Sequence, residues 1–178
     1  MIIKSVSTVR LSSQYGDGKV FGQGKGVKTI CLIKVETDSN LVGYGETYAG
    51  VYAPEIIPFI ANYLNETVCG MELVDPLAIL KTCYIPFVSR NGIFCSVYSG
   101  VDIALWDILA QNKRVSLQTL LRSYFVSEDS TNISQKKRGI KTYYSGGSAV
   151  MTPSEIGADT EQASSKGYAA FKMRVGVQ

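Results

Sequence analysis

The sequence predicts an α+β domain, made of a three-stranded antiparallel meander and several helices, followed by a βαβ unit that begins a second body. Three observations support this prediction. Strand-like segments occupy residues 2–46, helical patterns occupy residues 54–122, and a strand, a helix and a strand follow one another from residue 140 onward. A hydrophobic content of 46% in 178 residues is sufficient for globular cores.

The meander is predicted from three segments that mix apolar and polar residues as half-buried strands do: residues 2–11, 29–37 and 41–46. Residues 38–40, Asp-Ser-Asn, have the composition of a turn between the second and third strands. A third strand that returns directly beside the second makes the sheet antiparallel.

Two loops leave this sheet. The first, residues 15–26, has five glycines in twelve positions and contains Lys19 and Phe21. A phosphate-binding loop needs a following helix to supply oriented N–H groups, but a β-branched strand follows here. We therefore expect either a flexible hairpin tip or a lid that closes over a site. The second loop, residues 47–53, contains Tyr48 and Tyr52.

Helices are predicted next, from a start near Pro54, over residues 76–84 after the capping pair Asp75-Pro76, and over residues 94–112. The longest helix has an apolar stripe at helical spacing, which indicates a core position rather than a cofactor site: Phe94, Val97, Val101, Leu105 and Ile108.

A short helix over residues 116–122 precedes a polar stretch without periodicity. We therefore predict a first domain over residues 1–126, a connector over residues 127–139 and a second domain over residues 140–178.

The second domain begins with a predicted strand at residues 140–144, a helix at 153–166 and a strand at 168–176. Such a unit belongs to a parallel sheet covered on both faces, where charged residues need a reason. Lys172 and Arg174 share one face of the last strand. The commonest reason is an active site at the carboxyl end of a barrel strand, so we expect the start of a truncated (β/α) TIM-type barrel, and a fragment of a longer protein.

Composition excludes several classes of function. The chain has no histidine and no C-x-x-C spacing, which excludes the usual zinc sites and Ser-His or Cys-His nucleophiles within this segment. Free thiols, the absence of a signal peptide and acidic residues within the longest helix favour a cytoplasmic protein without a membrane span. The net charge of +3 and one short basic cluster at residues 136–141 do not make a nucleic-acid surface.

Four segments, in this order and spacing, cover nearly the whole chain: Leu41-Val-Gly-Tyr-Gly-Glu46, Gly100-Val-Asp-Ile-Ala-Leu-Trp-Asp-Ile108, Ser116-Leu-Gln-Thr-Leu-Leu121 and Lys172-Met-Arg174. Together they resemble the mandelate racemase and muconate lactonizing branch of the enolase superfamily. The resemblance implies a capping domain followed by a modified (β/α) barrel, with the substrate between them. It also implies that residues 15–26 and 47–52 are capping loops, so Lys19, Phe21, Tyr48 and Tyr52 become candidate substrate-binding residues.

The resemblance further implies an enzyme that abstracts the proton next to a carboxylate and holds the enediolate on Mg²⁺. We expect an acid-sugar dehydratase acting on a small carboxylate, with a racemase or cycloisomerase of the same superfamily as the alternative. The family's metal ligands lie on later barrel strands, beyond Gln178. No metal site is therefore expected in this chain, and we expect these 178 residues alone to be inactive.

Lys172 and Arg174 are the candidate catalytic residues. Many relatives have a lysine base at the position of Arg174, and a guanidinium is a poor proton acceptor. We expect Arg174 to orient or neutralise the substrate, and Lys172 to be the base if this strand supplies one.

A rival hypothesis is that the segment is a non-catalytic interaction or homo-oligomerisation module, because unpaired strand edges seek a partner. In that case Lys172 and Arg174 are solvated charges on an exposed strand. Glu46, Asp102 and Asp107 are expected to form ion pairs rather than a metal site.

Overall fold

The structure is a computed structural model that describes residues 1–14, 26–126, 140–149 and 151–175. Most of the glycine-rich loop, with Lys19 and Phe21, and the whole predicted connector lie outside these ranges. The chain forms two compact units, the first built from the meander and its helices and the second containing the βαβ unit. The domain boundaries given above remain predictions.

The meander consists of β1 (Ile3–Gln14), β2 (Val27–Thr37) and β3 (Val42–Thr47) in the order β1-β2-β3, which confirms the predicted sheet. The pairing of β2 with β3 is antiparallel, with Ile33 opposite Gly45. Alternate residues of β2 are at most 1% exposed, as a strand with one core face requires: Cys31, Ile33 and Val35.

A short 3₁₀ turn (Tyr48–Val51) and α1 (Ile57–Val68), α2 (Pro76–Thr82), α3 (Gly92–Lys113) and α4 (Leu117–Phe125) follow. The predicted start at Pro54 was wrong, because α1 begins at Ile57 and Pro58 occupies its first turn. The cap predicted for α2 is confirmed, since the Leu77 N–H donates to Asp75 Oδ1 at 3.0 Å. Ser116 caps α4 in the same way.

Glycines allow α3 to lie directly against β3. A Cβ atom added at Gly45 would collide with the backbone oxygen of Gly100, and one added at Gly43 would collide with that of Ala104. A Cβ at Gly100 would lie 2.6 Å from Ile33 Cγ1. The helix and strand backbones are therefore in contact, and any larger residue at these positions forces them apart.

The core of the first unit lies between this sheet and the helices, with α3 at its centre. Helix α3 is long and apolar enough to cross a membrane by length and composition, and half of its apolar window is buried inside the unit. Its fully buried residues confirm the predicted core stripe, apart from half-buried Phe94: Val97, Val101, Leu105 and Ile108.

The second unit contains β4 (Tyr144–Ser145), α5 (Pro153–Ser165) and β5 (Phe171–Lys172). The two strands pair in parallel, with Tyr144 opposite Phe171 and Ser145 opposite Lys172. The βαβ connection is thus confirmed, but both predicted strands were too long. Among the described residues each strand pairs only with the other. Two residues of each strand take part in this pairing.

Candidate functional site

The two-stranded parallel sheet has one face that contacts α5. Tyr144 and Phe171 stack with ring centroids 6.0 Å apart and planes 11° apart. The Tyr144 hydroxyl donates to Gln162 Oε1 on α5 at 3.3 Å, and Lys166 Nζ lies 5.3 Å from the centre of the Tyr144 ring. These contacts fix which face of the sheet is turned toward the helix.

Ser145 and Lys172 follow Tyr144 and Phe171 directly, so they lie on the opposite face, away from α5. Lys172 Nζ donates to Ser145 Oγ at 3.4 Å. Arg174 follows two residues later, just beyond the end of β5. The structure therefore brings a hydroxyl beside Lys172, the first of the two predicted cations.

Arg174 also lines a cleft of about 340 Å³ at the carboxyl ends of β4 and β5. Its backbone N–H donates to the Gly147 carbonyl at 3.0 Å. The other lining residues come from the loop after β4 and from α5: Ser145, Gly146, Gly147, Ser148, Met151 and Asp159. The cleft lies where side chains of a parallel sheet meet ligands.

The charges of Lys172 and Arg174 are not neutralised within the described part of the chain, because neither has a carboxylate oxygen within 4.0 Å there. Both side chains are exposed in the second unit. The described residues thus do not provide the partial burial that would help a lysine act as a base. What they provide is uncompensated positive charge beside a hydroxyl, which attracts anions.

Ser145 was missed by the sequence reasoning. Ser145 could have been found only from the parallel register of β4 and β5, which places it opposite Lys172. These two residues are 27 positions apart in the sequence. Periodicity within one segment contains no such information.

Tyr48 and Tyr52 lie in the first unit and contact each other. Their hydroxyl oxygens are 3.0 Å apart and their rings meet edge to face with centroids 5.5 Å apart. The side chains are 59% and 58% exposed. They therefore form one polar aromatic surface after the end of β3. The 3₁₀ turn brings the two side chains, four positions apart in the sequence, into contact.

The acidic residues of the family segments form none of the expected ion pairs with cations of the described residues. Among the described residues, Glu46 has no cation within 4.0 Å, and Asp107 Oδ2 accepts the Tyr44 N–H at 3.3 Å. Asp102 Oδ1 is buried and has no hydrogen-bond partner there. Burial raises the pKa of Asp102, and the hydrogen bond from Trp106 opposes this only in part.

No group of three acidic, cysteine or histidine side chains within residues 1–14, 26–126, 140–149 and 151–175 could hold a metal ion. The described residues consequently do not fit Mg²⁺, which binds to clustered oxygen ligands.

Comparison with known proteins identifies the first unit. The family described as mandelate racemase / muconate lactonizing enzyme, N-terminal domain, matches residues 23–122, which are 100 of the 178 residues.

Two characterised relatives align with the chain. The L-Ala-D/L-Glu epimerase of Clostridium acetobutylicum is 28% identical over 150 residues, which are 82% of this chain and 37% of the relative. A D-galactonate dehydratase family member of Oceanicola granulosus is 33% identical over 95 residues, which are 52% of this chain and 22% of the relative. The chain spans well under half the length of both.

A solved structure shows the same fold across the whole chain. The dipeptide epimerase of Cytophaga hutchinsonii, in complex with Mg and the dipeptide D-Ala-L-Val, superimposes with a TM-score of 0.70. Its sequence is 21% identical, and the match covers 100% of this chain and 45% of that one. With the family match over more than half of its length, this chain belongs to the mandelate racemase and muconate lactonizing enzyme family of the enolase superfamily.

Proposed function

We propose that this chain forms the capping domain and first barrel strands of an enzyme that abstracts the proton next to a carboxylate. One observation carries the proposal: Lys172 lies beside Ser145 on the face of a parallel strand pair that is turned away from α5, and Arg174 follows just beyond the carboxyl end of β5. The substrate is a small carboxylate.

The chemistry requires positive charge at this place. Removal of a proton from the carbon next to a carboxylate puts a second negative charge on that group, and fixed cations lower the energy of that state. The guanidinium of Arg174 can bind a carboxylate through two parallel N–H groups. Arg174 therefore orients and neutralises the substrate.

Lys172 is the candidate base of this strand. Ser145 Oγ accepts a hydrogen bond from the Lys172 ammonium, and its hydroxyl can donate one to a neutral amine, so it can hold Nζ before and after a proton transfer. If the base is instead supplied by another strand, Lys172 still contributes charge to the developing enediolate.

Members of the superfamily use Mg²⁺, and the Cytophaga epimerase was solved with Mg bound. The described residues hold no candidate ligand set. We propose that the complete enzyme binds Mg²⁺ through carboxylates on barrel strands that follow this segment.

Two outcomes of proton abstraction are candidates. Loss of water from a sugar acid is supported by the 33% identity to the galactonate dehydratase family member. Epimerisation of a dipeptide is supported by the longer alignment with the Clostridium epimerase, over 82% of this chain, and by the fold match to a second dipeptide epimerase. Both begin with the same step.

Tyr48 and Tyr52, together with Lys19 and Phe21, are proposed to determine substrate choice from the capping loops. The exposed hydroxyls of the tyrosine pair support this proposal, because exposed amphipathic rings bind polar ligands well.

The test measures deuterium incorporation at the α-carbon in D₂O with Mg²⁺, using sugar acids and Ala-Glu dipeptides as substrates. We expect the full-length gene product to exchange the α-proton of at least one compound and the 178-residue chain to exchange none. Exchange without water loss indicates an epimerase, and formation of a 2-keto-3-deoxy acid indicates a dehydratase. Failure of the full-length protein with every compound would contradict the proposal.

A non-catalytic homo-oligomerisation module remains the second candidate. It is favoured by the exposed apolar side chains of the second unit, among them Ile140 at 90% and Val175 at 77%. Size-exclusion chromatography of the 178-residue chain separates the two: a monomer at all concentrations contradicts the module.

A further inference from the structure

The loop after β4 is held at a single residue from two directions. The Gly147 N–H donates to Asp159 Oδ2 on α5 at 2.8 Å. The Gly147 carbonyl accepts the Arg174 N–H at 3.0 Å. One buried glycine thus joins the helix, the loop and the segment that carries Arg174.

The loop sequence and the Asp159 carboxylate match each other in shape. A Cβ atom at Gly146 would collide with Asp159 Oδ2, and one at Gly147 would lie 2.6 Å from Met173 Cβ. Gly147 also has φ of +59°, in the left-handed region that favours glycine. A side chain at Gly146 would therefore displace the Asp159 carboxylate, and one at Gly147 would press against Met173.

Asp159 and Arg174 line the same cleft but form no ion pair within 4.0 Å in the described part of the chain. The Asp159 carboxylate accepts a backbone N–H, and the Arg174 guanidinium is available to bind an anionic ligand. The negative charge of Asp159 opposes anion binding in this cleft, and its bond to Gly147 gives a structural reason for a carboxylate at this position.

We propose that Asp159 is a positioning residue for the carboxylate site. Its hydrogen bond to Gly147 fixes the backbone of Arg174 and of the loop that begins at Ser145. The fixed backbone in turn sets the direction in which the cations approach an anion. The inference rests on the proposed function, in which Arg174 orients the substrate carboxylate. An ordinary stabilising hydrogen bond would affect unfolding but not the position of Arg174.

The first test is amide hydrogen exchange by NMR on the 178-residue chain and on the variants D159A, D159N and E161A. In D159A we expect exchange at Gly147 and Arg174 to be at least about tenfold faster, because hydrogen bonds to charged groups contribute that much. D159N should restore protection, since its amide oxygen also accepts, and E161A, an exposed neighbour on α5, should match the wild type. Amides of β2 should not change in any variant.

The second test titrates the same proteins with sodium gluconate and with alanyl-glutamate, observed at the Arg174 backbone and guanidinium signals. We expect D159A to weaken binding at least about fivefold and D159N to stay within about twofold of the wild type. Equal exchange at Gly147 in wild type and D159A overturns the inference even if carboxylates bind. If the exchange results hold but no carboxylate binds the wild type, the proposed role of Arg174 fails while the Asp159 contact stands.

Discussion

The two units of this chain differ in how far they bury their own apolar side chains. In the first unit, α3 lies against β3 with backbone contacts, and more than twenty hydrophobic residues are buried. In the described part of the second unit, Ala163 is the one buried hydrophobic side chain, whereas Met173, Val175 and Ile140 are 48%, 77% and 90% exposed. The first unit contains its own core, and the second presents apolar surface.

The first unit therefore determines stability, because cavities and close contacts in its core have defined costs. The second unit offers groups for chemistry: Lys172 and Ser145 end the two strands, Arg174 follows, and no carboxylate of the described residues lies within 4.0 Å of either cation. Substitutions that act differently on the two units can therefore break or sharpen the comparison.

The largest effect is expected for Leu105→Ala in the centre of α3. Leu105 is fully buried, so the cavity should cost about 2–5 kcal/mol of unfolding free energy. Met173→Ala is the matched change in the second unit and should stay within about 0.5 kcal/mol. Urea unfolding is followed by the fluorescence of Trp106, the single tryptophan, for the first unit and by far-UV circular dichroism for both units. Equal costs for both variants would remove the distinction.

A smaller effect is expected for Gly45→Ala. The added methyl group meets the Gly100 backbone, and such overpacking costs about 1–3 kcal/mol. Gly157→Ala on α5 is the control, since no atom lies within 4 Å of its Cβ position and alanine favours helix by about 0.5–1 kcal/mol. Thermal unfolding by circular dichroism should therefore shift in opposite directions. A neutral Gly45→Ala would contradict the close approach of α3 and β3.

The smallest effect concerns pH. Because burial raises the pKa of Asp102 above its unfolded value, its charged form destabilises the first unit above the folded pKa, and stability rises as pH falls through that pKa. Asp102→Asn should increase stability at neutral pH, by less than about 1 kcal/mol, and remove this rise.

Glu36→Gln is the control, because the stabilisation by Glu36 depends on pH with the opposite sign. The hydrogen bond from Lys34, followed by that from Ser5, lowers the pKa of Glu36, so its stabilisation is present above the unfolded pKa and is lost as pH falls through the folded pKa. Urea midpoints from about pH 2 to about pH 8 cover carboxyl groups with lowered and with raised pKa values and so separate the two variants. Equal pH slopes for wild type and Asp102→Asn would contradict the buried charge.

Much of the fold follows from local patterns in the sequence. Period-two burial in β2, the stripe of α3 and the Asp75 cap are each determined within one short segment, so sequence reasoning placed them. The start of α1 was misplaced because Pro54 and Pro58 both fit a first turn, and packing decides between them.

What could not be predicted depends on partners distant in sequence. The short ladder of β4 and β5, the pairing of Ser145 with Lys172 and the use of Asp159 on Gly147 all join separate segments. The glycines of the family segments were visible, but their reason, contact of β3 with α3, needed the fold. Glu46, Asp102 and Asp107 were expected in ion pairs, and the described residues place no cation beside them.

The central claim is that Lys172 acts on the α-proton or on the charge that its removal creates. The most direct test compares α-proton exchange in D₂O by the full-length gene product, by Lys172→Ala and by Lys141→Ala, a lysine at the amino end of β4. We predict that Lys172→Ala loses at least about 100-fold in exchange rate, as expected for removal of a general base or a charge partner, while Lys141→Ala keeps the wild-type rate. Wild-type exchange by Lys172→Ala would contradict the account.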